Sequence, residues 1–204
     1  MSLYQALTAY VKEHTKGFAG HEIDHANLVY ANALIIMGQY YKNTDEYDLP
    51  IFMCAALCHD VIDDKNPNIN KETARDELIE FITSITNKSR ADIVMSIIDN
   101  ISYSKEVAGK TTQLPYPYNL YRDAISDADK IDGLNIHRCI EYTKMKGGKV
   151  PEDVIKHCHD KLLKLLPDRF IKTDTGKIMA EPHHEKIQAY VNSFEKQKYV
   201  TSNV

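Results

Sequence analysis

No stretch of the 204-residue chain approaches the roughly 20 consecutive apolar residues that a membrane helix needs. The first residues, MSLYQALTAYVKEH, are interrupted by polar side chains throughout and contain no apolar signal-peptide core. Cysteine is sparse. The four are Cys54, Cys58, Cys139 and Cys158, and no two stand at CxxC spacing. Cys54 and Cys58 lie one helical turn apart in an apolar run, so they read as small buried hydrophobes. A reducing cytoplasm is the simplest setting for such thiols. Excess positive charge is also missing, since the formal net charge is −4. That removes support for a nucleic-acid scaffold, which carries a basic stripe. It leaves room for small anionic substrates, because a metal ion or a few lysines can hold those. Alternating strand patterns of useful length and internal repeats are absent as well.

What remains is helical periodicity on a globular composition, 43% apolar and 26% charged. Leu3, Leu7, Tyr10 and Val11 mark one amphipathic helix, and His21 opens a second that carries Ile23, Ala26, Leu28, Ala31, Leu34 and Ile35. Pro50 suits the first turn of a third, short and apolar, through IFMCAALCHD. Two more follow, in KETARDELIEFITSI and RADIVMSIIDNI. The pattern lapses from Ser104 to Tyr118, where Gly109, Pro115 and Pro117 predict a loop or lid. It returns near Leu120 and runs through ISDADKIDGLNIHRCIEYT. KGGKVP breaks it, PEDVIKHCHDKLLKLL renews it, and DTGKIMAEPHHEKIQAYVNSFEKQ closes the chain, with Pro182 expected to disturb its early part. The expectation is an all-α helical bundle, one domain over residues 1–204.

Against this background MCAALCHDVIDD is unusual. Acids at the end of a buried apolar run are costly unless something pairs them. His25 in HEIDHANLV, the pair His59 and Asp60, and Asp129 in DADKID together offer two imidazoles and two carboxylates. Mixed N/O ligation suits Mn, Fe, Co, Ni or Zn better than Ca. Four protein ligands on an octahedral ion leave two positions for water or a phosphate oxygen. The plain alternative is a structural histidine and solvated helix-end acids.

Three segments in order, GHEIDHANLVYANAL, AALCHDVIDD and SDADKIDGL, resemble the motifs of the HD-domain metal-dependent phosphohydrolases. NISYS and the C-terminal HCHDKLLKLLPDRFIKTDTGKIMAEPHHEKIQAYVNSFEKQ are similar to a branch of small, single-domain bacterial members, some of which are nucleotide pyrophosphohydrolases. The resemblance implies His25, His59, Asp60 and Asp129 as ligands of one divalent ion (Mn, Fe, Co, Ni, Mg or Zn). Asp129 is the acid of the Ala-Asp-Lys triplet, which leaves Asp127 and Asp132 as outer acids. It also implies a water-positioning or proton-accepting acid at Asp63, three residues after Asp60, with Asp64 the adjacent candidate as in alarmone hydrolases. Asp60 and Asp63 would share a face if the helix persists that far. The alternative is that DVIDDKN is a solvated helix end.

Lys65, Lys130 and Lys161 are candidates for phosphate contact, Lys161 foremost. His21, one turn before His25, could donate to the site from behind or touch phosphate. Asp24 matches the family's Asp-His pair and would orient an imidazole. His157, His159, His183 and His184 have no partners at zinc-finger spacing and read as surface or core residues. Relatives often carry an arginine just after the first motif histidine, as in HIERV; here the matching residues are Ala26, Asn27 and Leu28. The expected function is metal-dependent hydrolysis of a nucleotide or similar small phosphate ester or anhydride. Phosphodiesterase action, alarmone-type pyrophosphate hydrolysis and a non-catalytic nucleotide sensor are the alternatives. The expected partner is a small phosphorylated substrate, with no nucleic-acid polymer, no membrane, and a homo-oligomer open.

Overall fold

The computed structural model describes residues 1–18, 20–40, 47–63, 66 and 69–201, with side chains to residue 196. Every regular element among them is helical, and none of these helices is long and apolar enough to cross a membrane. The chain divides into two compact units, Met1–Ala128 and Asp129–Val204.

The first unit is built around α3 (Leu49–Cys58). Its sequence, LPIFMCAALC, is apolar on every side, and such a helix is stable only when surrounded. Accordingly α1 (Leu3–His14), α2 (Ile23–Gly38) and α5 (Lys88–Ile98) all pack on it. Ile51, Phe52, Cys54, Ala55, Ala56, Leu57 and Cys58 are buried. Cys54 and Cys58 are free thiols in this core, as their spacing suggested. Burial pushes the Cys54 thiol up to about 12, so it is inert as a nucleophile. Asp48 starts α3 by accepting from the Ile51 amide at 3.2 Å, and its other oxygen pairs with Arg90 Nε of α5 at 2.8 Å. α4 (Lys71–Ile85) covers α5 through Ala74, Leu78 and Ile82.

The helix expected to run through His59 and Asp60 stops at Cys58. His59 Nδ1 turns back onto the Ala56 carbonyl at 2.9 Å, and the Val61 amide bonds Cys58 O at 3.1 Å. Residues 59–62 are therefore a sequence of turns, and the shared helical face proposed for Asp60 and Asp63 does not exist.

The expected loop from Ser104 to Tyr118 begins inside a short helix, α6 (Tyr103–Val107), and leads into α7 (Tyr118–Gly133). Its middle is pinned by Asn100, whose Oδ1 accepts from the Thr112 amide at 2.6 Å and the Thr112 hydroxyl at 3.2 Å. An open cleft of about 350 Å³ lies beside it, lined by Asp99, Asn100, Lys105, Lys110 and Thr112. Asn100→Ala removes both bonds, at a cost of about 1–2 kcal/mol to the closed segment. Limited proteolysis should then cut within 108–117 roughly 5–30 times faster than in the wild type, because cleavage follows the open population. An unchanged rate would show that Asn100 does not hold the segment.

α7 runs across the boundary between the units. The long pattern from Leu120 onward is two helices rather than one. α7 ends at Gly133, and Asn135 starts α8 (Ile136–Met145) by accepting from the His137 and Arg138 amides at 3.1 and 3.3 Å. An asparagine that caps a new helix outcompetes continuation of the old one. In the second unit α9 (Glu152–Asp160) also ends earlier than its pattern, giving way to a 3₁₀ turn at Leu162–Lys164. α10 (Asp174–Thr201) passes through Pro182 without a break in helical assignment. The carbonyl that Pro182 leaves without its N–H partner belongs to Ile178, which is exposed and open to water.

Candidate metal centre

The turn between α1 and α2 contains Gly17 and Gly20, both at positive φ (74° and 81°), where a side chain would be strained. It tucks Phe18 into the core and leads into α2, which carries His21 just before its start and His25 in its first turns. α3 delivers His59 and Asp60 at its C-terminal end. These elements converge on one atom. Oδ2 of Asp60 lies 2.6 Å from His21 Nδ1, 3.1 Å from His25 Nε2 and 3.3 Å from His59 Nε2. The His25 and His59 side chains are only 4% and 2% exposed, and that of Asp60 is 13%.

The charge balance here is demanding. Burial pushes the Asp60 carboxyl up, but the charge of His59 and hydrogen bonds from His21, His25 and His59 outweigh it, so the group is held well below the usual carboxylate range. The His59 ring adds a constraint. Its Nδ1 faces a backbone carbonyl, which only accepts, so Nδ1 carries the proton. A neutral His59 then turns the bare lone pair of Nε2 toward an anionic oxygen 3.3 Å away. That arrangement is repulsive unless a positive charge is present, as a second proton or as a cation. Fixing a histidine's tautomer through a backbone carbonyl is how proteins prepare Nε2 as a metal ligand.

The donor spacing fits an ion. Metal–nitrogen and metal–oxygen bonds of about 2.0–2.2 Å place neighbouring ligand atoms about 3.0 Å apart on an octahedron and about 3.4 Å apart on a tetrahedron. The distances from Asp60 Oδ2 to His25 and His59, 3.1 and 3.3 Å, fall in that interval. His21, His25 and Asp60 likewise bring ligand-type atoms within 4.8 Å of one another, although the His21 contact to Asp60, at 2.6 Å, is shorter than a ligand-to-ligand spacing.

Asp63 is half-buried just after the Asp60 turn, with its amide on Asp60 O at 3.2 Å and its carbonyl accepting from the Asn66 amide at 3.0 Å. Asp64 and Lys65 lie outside the described residues. Asp129 follows Ala128 in α7 and opens the second unit. Within that unit Lys161 ends α9, with its amide on His157 O at 3.0 Å. Lys130 is buried and donates to the Phe170 carbonyl at 2.9 Å. Asp132 pairs with Arg138. Asp24 is exposed in the first turn of α2 rather than set behind an imidazole. His159 pairs with Glu195 at 3.0 Å, and His184 with the Leu163 carbonyl at 3.2 Å, consistent with structural roles. Phe18 and the Ala56 carbonyl were not legible in the sequence. A buried aromatic beside a glycine turn and a carbonyl three residues before a histidine carry no pattern of their own.

No protein-family model matches the chain. The solved structures similar to it define a class: it has the fold of the HD-superfamily hydrolases. One such hydrolase, from Bacillus thuringiensis, superposes with a TM-score of 0.67 at 24% identity, covering 96% of each chain. A Lactobacillus plantarum protein superposes at 0.78 with 22% identity over 97% of each chain. Among particular relatives, Bacillus subtilis YpgQ is 28% identical over 184 residues, 87% of this chain and 84% of that protein. Its crystal structure in complex with ADP gives a TM-score of 0.71 at 25% identity, covering 96% of this chain and 94% of that one. The resemblance carried by the three motifs is thus matched by a likeness in fold.

Proposed function

We propose that the chain is a metal-dependent phosphohydrolase whose substrate is a nucleotide or a similar small phosphate ester or anhydride. The observation that carries this reading is the convergence of His25 Nε2 and His59 Nε2 on the part-buried Asp60 carboxylate at ligand-to-ligand spacing. His25, His59 and Asp60 would hold one divalent ion. Asp129, assigned by its motif, would supply the second carboxylate. When bound, the ion would gather phosphate oxygens, lower the pKa of a water and neutralise developing charge. The chain's own residues do the rest. The Ala56 carbonyl fixes the His59 tautomer, the apolar wall of α3 excludes bulk water from the imidazoles, and Asp63 accepts the proton of the attacking water. Asp64 is the adjacent alternative, and Lys65 and Lys161 are the proposed phosphate contacts. The complex of YpgQ with ADP supports a nucleotide as the ligand class. The segment 108–117 would close over it, so bound ADP should slow the proteolysis described above. Residues 1–204 would act as one HD-type domain, and the free buried thiols favour a reducing cytoplasm.

The purified chain should hold about one divalent ion by elemental analysis. With Mn²⁺ it should release phosphate or pyrophosphate from a panel of nucleoside mono-, di- and triphosphates, and chelation should stop it. Nucleotide binding with no turnover across the panel would favour the sensor. Full activity in a metal-free sample would end the reading.

A further inference from the structure

His21 stands apart from the other two histidines at Asp60. Its Nδ1 lies 2.6 Å from Oδ2, shorter than the 3.1 and 3.3 Å of His25 and His59. That is below the edge of about 3.0 Å between adjacent ligands of one ion, and it matches a short charge-assisted hydrogen bond. A carboxylate oxygen only accepts, so Nδ1 carries the proton. A nitrogen that donates to Asp60 cannot at the same time ligate a metal. The ring has little freedom to turn. It stacks on Phe18 with centroids 4.3 Å apart and planes 17° from parallel, and it meets His25 edge-on at 5.5 Å. Phe18 is itself only 4% exposed, held by the turn between α1 and α2.

We infer that His21 is a positioning residue, clamped by Phe18, that presets the Asp60 carboxylate for the ion and is neither a ligand nor a phosphate contact. This role rests on the metal reading above. An unclamped Asp60 would have to be oriented at the moment of binding. Outer-shell hydrogen bonds of this kind are worth about 10–100-fold in metal affinity.

Cobalt(II) binding to the full chain tests it, followed by titration and by the visible absorption of the bound ion. His21→Ala should weaken cobalt affinity about 10–100-fold. One ion per chain should still bind at saturation, with an unchanged absorption band, because the ligand set is intact. His21→Gln keeps an N–H donor and should recover part of the loss. Phe18→Leu should give a smaller loss, because the donor stays and only its support loosens. At saturating cobalt, inorganic phosphate should bind all these variants as it binds the wild type. Circular dichroism and thermal midpoints establish that each variant is folded. Wild-type cobalt affinity in His21→Ala overturns the proposal. So does an altered band at saturation, which would make His21 a ligand, or a loss of phosphate binding alone, which would make it a substrate contact. A wild-type chain that takes up no cobalt overturns the metal reading itself and this role with it.

Discussion

Asp60→Asn should strip the chain of its ion and of hydrolytic activity together. Asp60 Oδ2 is the one atom on which His21, His25 and His59 converge, within 3.3 Å. An amide there is neutral, so it no longer offsets a divalent charge. Losing an outer-shell partner costs about 10–100-fold in affinity, so losing an anionic ligand should cost at least about 100-fold. A second effect runs alongside. The His21 N–H keeps an acceptor in the amide oxygen but loses the negative charge that strengthens the bond, worth about 1 kcal/mol of folding stability. The two are separable, because thermal melts in chelator report the second and metal titration the first. Elemental analysis after gel filtration, with turnover on the best nucleotide, checks the outcome. A folded Asp60→Asn protein with wild-type metal content and turnover would falsify the assignment of Asp60 as a ligand.

Asp63→Asn should behave differently: the ion stays and the chemistry slows. Turnover should fall by about 10²–10⁴, the usual contribution of a general acid–base group. KM should change little, because an interaction made mainly in the transition state appears in kcat. The structural basis is no longer a shared helical face, since α3 ends at Cys58. Asp63 is instead held by successive turns, its amide on Asp60 O and its carbonyl on the Asn66 amide. Asn66 is buried and reaches the His14 carbonyl of α1 at 3.4 Å, so the turn is tied back to the first unit's core. Metal content and steady-state kinetics on Asp63→Asn and Asp64→Asn decide the matter. Near-normal kcat in Asp63→Asn moves the proton to another acid, with Asp64 next in line. Loss of the ion in Asp63→Asn places that carboxylate among the ligands.

Much of this was legible without coordinates because it is local. Helix content follows from three- and four-residue apolar spacing, and KETARDELIEFITSI is the helix Lys71–Ile85. The central place of α3 follows from its lack of any polar face. The identities of His25, His59 and Asp60 as a candidate set follow from side-chain chemistry at the end of that apolar run. Helix ends were less legible. A periodic pattern continues through residues that could be helical, whereas the actual stop depends on a competing hydrogen bond. Asn135 supplies one at the break between α7 and α8, and His59 supplies another by reaching back to Ala56 O.

The sequence alone determined that the chain is all-helical, that one helix must be buried, and that metal-type donors cluster in its motifs. Tertiary structure alone decided which nitrogen of each histidine faces Asp60, and at what distance. His21 and Asp60 are 39 residues apart, and no local periodicity encodes a contact across that separation. The difference between a hydrogen bond at 2.6 Å and ligand spacings at 3.1 and 3.3 Å is a few tenths of an ångström. It is set by where two helices pack against a third and by a phenylalanine wedged beneath an imidazole. Spacing along the chain can nominate such residues, but only packing assigns each its part.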